Sequence, residues 1–232
     1  MFFRFHKDNA TVQTMNMMGY DAMTLGNHEF DKGPSLVATF IPKLNFPVVS
    51  SNIDAQGIPD LHKWLQPYVI IDRHNIAIIG IITTDLPTLS PIGPNIKLLD
   101  PVPVLNSLIT ELKGQGINRI IVLSHSGYFE DVKIAEQLHP GISLIIGGHS
   151  HTYLSPEVKP EQRKGDVGQY PTIITNHRDP TWKTYIVQAK VWGEYLGYLD
   201  LVFDTNGMLS DLTHGFPIHV TNDIPEDKEM RE

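Results

Sequence analysis

At 232 residues with 41% hydrophobic side chains, the chain can bury a sizeable core in one large or two small domains. Its 26 acidic against 18 basic side chains give a net charge of −8, which argues against nucleic-acid phosphates or anionic membranes as partners held by bulk electrostatics. Without a cysteine, neither a disulfide nor a thiolate metal site is open to it, so a transition-metal site must draw on the eleven histidines with Asn, Asp or Glu.

Taken in chain order, residues 10 to 18 carry apolar positions at helical spacing, and Gly19 closes them as a C-terminal glycine would. "YDAMTL" reads as a short strand, "PSLVATFIPKL" as a helix with Pro34 in its first turn, and "FPVVSSNI" as a buried strand. "YVIID" and "NIAIIGIITT" flank "DRH" in the pattern of a β-hairpin. A helix over "PVLNSLITELKGQG", a strand "RIIVLSHSG", a helix over "EDVKIAEQL" and a strand "ISLIIGG" follow, an alternation that predicts an α/β layered fold. The closing part is β-rich: "YPTIIT", "YIVQAKV" and "GYLDLVFDTNGML", the last with an Asn-Gly turn at Asn206 and Gly207. Between them "SPEVKPEQRKGDVGQ" is a polar loop, and "IPEDKEMRE" reads as a linker or the start of a helix. The longest apolar run, Ile76 to Ile82, is far too short to span a bilayer, and the opening residues lack the apolar region of a secretory signal.

Three loops share one position, each directly after an apolar strand: "GNHEFD", "SHSG" and "GGHSH". In α/β sheets the carboxyl ends of strands converge on a ligand crevice, so Asn27, His28, His125, His149 and His151 are expected to meet. Imidazoles and an amide oxygen suit a divalent first-row metal ion. Asp31, three residues after His28, is placed to hydrogen-bond that imidazole and favour its charged form, or to cap the following turn. Glu29 reads as structural, and Trp64, Trp182 and Trp192 as packing residues.

"GYDAMTLGNHEFD", "LSHSG", "GGHSHTYL" and "YPTIIT…IVQA…GYLDLVFD" occur in the order found in the calcineurin-like metallophosphoesterase superfamily, and the chain resembles its 5′-nucleotidase branch. The resemblance implies a four-layered αββα sandwich over residues 1–220, followed by a linker at 221–232. It implies hydrolysis of nucleoside monophosphates with two divalent ions, Zn, Mn or similar, roughly 3.5 to 4 Å apart. Asn27, His125 and His149 resemble ligands of one ion, His151 a ligand of its neighbour, and His28 with Asp31 the catalytic dyad. It further implies an Asp-x-His strand and a bridging Gly-Asp upstream of Gly26, so the chain reads as starting inside the domain, with at most one weakly held ion and impaired activity. Asp72-Arg73-His74, Lys164 to Asp166, and His6 with Asp8 are poor substitutes for those carboxylates. A C-terminal nucleoside-binding domain and work outside the cytoplasm belong to the same expectation. The alternatives are a cyclic-nucleotide or UDP-sugar hydrolase of the same fold, and a non-catalytic metal-binding or interaction protein.

Overall fold

A computed structural model describes residues 9–158 and 167–231. His6, Asp8 and the Lys164 to Asp166 segment lie outside the described residues. The centre is a six-stranded sheet built from β4 (Tyr68–Ile71), β5 (Ile76–Ile82), β7 (Arg119–His125), β8 (Ile142–Ile146), β11 (Thr172–Thr175) and β12 (Lys183–Val187). Across the sheet their order is β11-β12-β8-β7-β5-β4. The inner strands β5, β7, β8 and β12 are mutually parallel, and β4 and β11 pair antiparallel at the two edges. Continuous apolar runs such as "IAIIGII" suit these inner positions because a parallel strand is covered on both faces.

Helices Pro101–Gly114 and Tyr128–Gln137 cover one face, sinking Leu105, Ile109, Leu112, Val132 and Ala135 against Ala77, Ile79, Ile120 and Val122. Each fully buried Leu or Ile contributes about 1.5–3 kcal/mol. Asp100 caps the first of these helices by accepting the Val102 amide at 3.0 Å, with Pro101 in the first turn. The predicted hairpin joins β4 to β5 through the 3-10 turn Asp72–His74 and Asn75, which takes the left-handed conformation at φ 52°. This turn lies at the amino end of β5, whereas Ile82 at the other end pairs with His125. The Asp-x-His string is therefore at the wrong end of the sheet to serve the histidine loops.

The second layer consists of short two-stranded pieces. β1 (Met23–Thr24) runs parallel to β2 (Val48–Val49), and β3 (Ile53–Asp54) pairs with β6 (Lys97–Leu98). They enclose a second core of Leu25, Phe30, Val37, Phe40, Leu61, Ile82 and Leu86. Contact with the central sheet is made at Gly80, where a Cβ would stand 2.0 Å from the Val49 carbonyl oxygen. Beside it, the Ser51 amide and hydroxyl both donate to the Gly80 carbonyl, at 2.7 and 2.8 Å. Asn52, fully buried, donates to the Ile82 carbonyl at 2.8 Å and accepts the Ile82 amide at 2.9 Å. An Asn52→Ala variant strands both backbone groups of Ile82 and is expected to lose about 2–3 kcal/mol, read from a urea melt. A loss below about 0.5 kcal/mol, the level of an ordinary surface substitution, would contradict this account.

The β-rich end departs from its sequence pattern. β9 (Tyr153–Ser155) pairs in parallel with β10 (Val167–Gln169), and β13 (Tyr195–Asp200) pairs with β14 (His214–His219) rather than across the Asn-Gly turn. That turn closes a single bridge between Phe203 and Leu209. The reason is tertiary: the buried Ser143 hydroxyl donates to the Gly207 carbonyl, and a Cβ at Gly207 would lie 1.9 Å from the Asn118 carbonyl. The turn is thus docked against the amino ends of β7 and β8. Trp182 is buried and donates to the Ile142 carbonyl at 3.0 Å, as a packing residue should. Trp192, at 81% exposure, is not one: it stands on a turn whose left-handed residues lift it off the core. The last described residues form the short helix Lys228–Arg231.

Candidate active site

Three loops meet beyond the carboxyl ends of β1, β7 and β8. Leu25 and Phe30, both fully buried, pin the first, which turns through the 3-10 helix Asn27–Phe30. Glu29 holds its entry by accepting the Gly26 amide at 2.7 Å. A Cβ on Gly26 would come within 2.7 Å of His125 Cε1, so only glycine lets the ring in. The buried Asn27 then places Oδ1 3.0 Å from His125 Nε2 and 3.1 Å from His149 Nδ1. The two imidazoles lie 5.1 Å apart, and the Asn27 carbonyl accepts the Ser90 hydroxyl at 2.8 Å.

The third loop is strained. His149 and His151 have φ of 71° and 57°, the left-handed region that residues with a Cβ occupy uncommonly, His less so than most. Gln188 compensates: its Nε2 donates to the Gly148 carbonyl at 3.0 Å, and its Oε1 accepts the Thr152 amide and the Ser150 hydroxyl. Ser150 Oγ also accepts the Tyr128 amide at 2.9 Å, which fastens the loop to a helix start. His151 is exposed, and its charge acts on the partly buried His125 and His149 rings without a hydrogen bond to either. Among the described residues no three His, Asp or Glu side chains gather as a metal-holding group. The convergent donors are two imidazoles and one amide. His28 Nδ1 meets Asp31 Oδ2 at 3.1 Å, and the His28 side chain is 72% exposed, leaving its other edge open to solvent.

Electrostatics suit neutral donors. Burial first, then the neighbouring His149, His28 and His151, pushes His125 down to about 4, and burial with His151 and His28 lowers His149. Burial pushes the Asp131 carboxyl up to about 7 against a lowering Ser124 hydrogen bond. These shifts act oppositely on stability in the metal-free chain. Between pH 6.5 and about 4 the unfolded chain protonates His125 and the native chain does not, so stability is lost as pH falls. Between 3.8 and about 7 the native chain keeps an Asp131 proton that the unfolded chain releases, so stability is lost as pH rises. Asp131→Asn removes the second effect, and its Tm should fall more steeply than that of the parent from pH 6.5 to 4 in EDTA. Parallel profiles would contradict the assignment.

Sequence reading missed Ser90, Ser124, Asp131, Ser150 and Gln188. Only Asp131 left a signal: it lies three residues after Tyr128 and four before Ala135, on the buried stripe of its helix.

The chain is 36% identical over 236 residues to a snake venom 5′-nucleotidase of Gloydius brevicauda, a match covering 100% of this chain and 39% of that protein. Its fold superposes on a 5′-nucleotidase precursor of Thermus thermophilus with a TM-score of 0.89 and 37% identity, over 99% of this chain and 45% of the other. Over its whole length the chain is similar to 5′-nucleotidases. An NAD nucleotidase of Haemophilus influenzae is also similar to this 5′-nucleotidase-like chain, at 26% identity and a TM-score of 0.79 over 99% of this chain and 48% of that one. No family model matches. The chain spans about two fifths of the length of the curated 5′-nucleotidases it matches. Among the described residues no helix is long and apolar enough to cross a membrane.

Proposed function

We propose that this chain carries the phosphate-facing part of a metal-dependent hydrolase that releases phosphate from nucleoside monophosphates. The observation that carries the reading is the convergence of His125 Nε2 and His149 Nδ1 within 3.1 Å of Asn27 Oδ1, beside the His28 and Asp31 pair. Two imidazoles held neutral and an amide oxygen fit one divalent cation, and the space a Gly26 side chain would fill is left to the His125 ring. Asn27, His125 and His149 would hold that cation, which when bound supplies positive charge to a phosphoryl group and acidifies water. For a second ion these residues offer His151 alone, so no step through a two-ion site is derived.

The remaining chemistry belongs to the dyad. Asp31 fixes the His28 ring through Nδ1, and its carboxylate is placed to pair with the imidazolium form. In that form the exposed Nε2–H donates to a phosphoryl oxygen as charge develops there, or passes its proton to the departing oxygen. Phosphate release from AMP with added Mn²⁺ tests the proposal, with AMP contact read in parallel from the His28 ring proton resonances. The expected result is a perturbation of the His28 ring by AMP and a fall in rate of about 10²–10⁴-fold in His28→Ala. Equal rates in both chains, or no perturbation of the ring, would overturn the reading. The likeness to an NAD nucleotidase makes NAD the first additional substrate to compare with AMP.

A further inference from the structure

Asp131 is a buried titratable group that the proposed chemistry does not use. It has 0% exposure and lies within the helix that starts directly after the His125 loop. Its Oδ1 accepts the Ser124 hydroxyl at 2.5 Å, and Ser124 Oγ accepts the Ser126 amide at 3.2 Å, so the two residues flanking His125 hang from this carboxyl. On its other side a Cβ at Gly147 would stand 2.5 Å from Asp131 Oδ2 and 3.1 Å from Gln188 Nε2. The turn leading into His149 is therefore pressed against the same carboxyl, and glycine is required for that approach.

Among the described residues Asp131 Oδ2 has no hydrogen-bond partner. A buried polar atom left unanswered opposes folding, and an apolar side chain of similar size would avoid that penalty, so its presence calls for a role other than stability. Burial favours the neutral acid, which can occupy this place without a counter-ion. We propose that Asp131 is a positioning residue that sets the distance between the His125 and His149 rings, by tying the end of β7 through Ser124 and bracing the Gly147 turn after β8. The inference rests on the reading that these two rings hold a divalent cation. Groups that orient metal-binding side chains without touching the ion commonly change its affinity by about 10–100-fold.

The test uses the full 232-residue chain with Co²⁺ as probe, together with imidazole ¹⁵N resonances of the metal-free protein. Asp131→Ala is expected to shift the His125 and His149 ring resonances and to weaken Co²⁺ binding about 10–100-fold. Asp131→Asn, whose amide oxygen still accepts the Ser124 hydroxyl, should restore most of both. If Asp131→Ala does not fold, Ser124→Ala removes the same bond and should shift the same rings. Variants that lower Tm while leaving ring resonances and Co²⁺ affinity unchanged would overturn the proposal and leave Asp131 a purely structural residue. Should the parent chain bind no Co²⁺, the cation reading fails by itself. The ring resonances then decide: a shift in Asp131→Ala upholds the positioning role, and unmoved rings overturn it.

Discussion

Replacing Asn27 with Ala is expected to weaken divalent-cation binding by at least about 100-fold, beyond the usual effect of losing an orienting neighbour of a metal ligand. The reason is geometric: Oδ1 of this one amide is the point from which both His125 Nε2 and His149 Nδ1 stand at about 3 Å. Its removal leaves two imidazoles with no third donor, and His151 is exposed at the rim. Folding should change little, since the Asn27 carbonyl keeps its bond from Ser90 and the loop remains pinned by Leu25 and Phe30. Calorimetric titration with Mn²⁺ or Co²⁺, run beside a thermal melt, checks both halves. Unchanged affinity in a folded variant would remove Asn27 from the site.

The largest expected effect on stability comes from Gly80→Ala. A methyl group there would sit 2.0 Å from the Val49 carbonyl oxygen and 2.8 Å from Thr24 Oγ1, and neither strand can move without opening a hydrogen bond. Ser51 binds the Gly80 carbonyl through both its amide and its hydroxyl, so displacement breaks the seam between the central sheet and the β1–β2 pair. Overpacking of this kind sits at the upper end of its range, about 3 kcal/mol or more. For a chain of this size that corresponds to a Tm lower by roughly 6–12 °C. Gly114→Ala is the matched control: its Cβ would meet nothing within 4 Å at the end of a helix. It should be neutral or stabilising by up to about 1 kcal/mol. Similar melting of the two variants would show that the Gly80 contact is not tight.

Because the β1–β2 pair carries the Asn27 loop, Gly80 also links stability to the site. Loss of the seam in Gly80→Ala should therefore loosen the approach of Asn27 to the histidines even where the chain still folds.

The inner strands β5, β7, β8 and β12 were legible in the sequence as unbroken apolar runs, and the helices between them as amphipathic stretches, because local burial demands that pattern. So was the site's outline: glycine-flanked polar groups directly after apolar strands have few other reasons to occur, and Asn27, His125 and His149 do converge. The contact between His28 and Asp31 was legible too, since three residues within one turn fix the reach of Asp31 to His28.

What the sequence left open was set by contacts between residues far apart in the chain. The Asn-Gly turn forms as expected across the Phe203–Leu209 bridge, but the longer pairing of β13 is with β14, and the turn itself is docked through Gly207 against Ser143 and Asn118. His149 and His151 adopt left-handed backbone because Gln188, nearly forty residues on, holds the loop around them. Asp131 gains its place from Ser124, on β7, and Gly147, in the turn just after β8. Spacing along the chain sets which groups can reach a common point, but the packing of distant backbone against backbone sets which of them are held there.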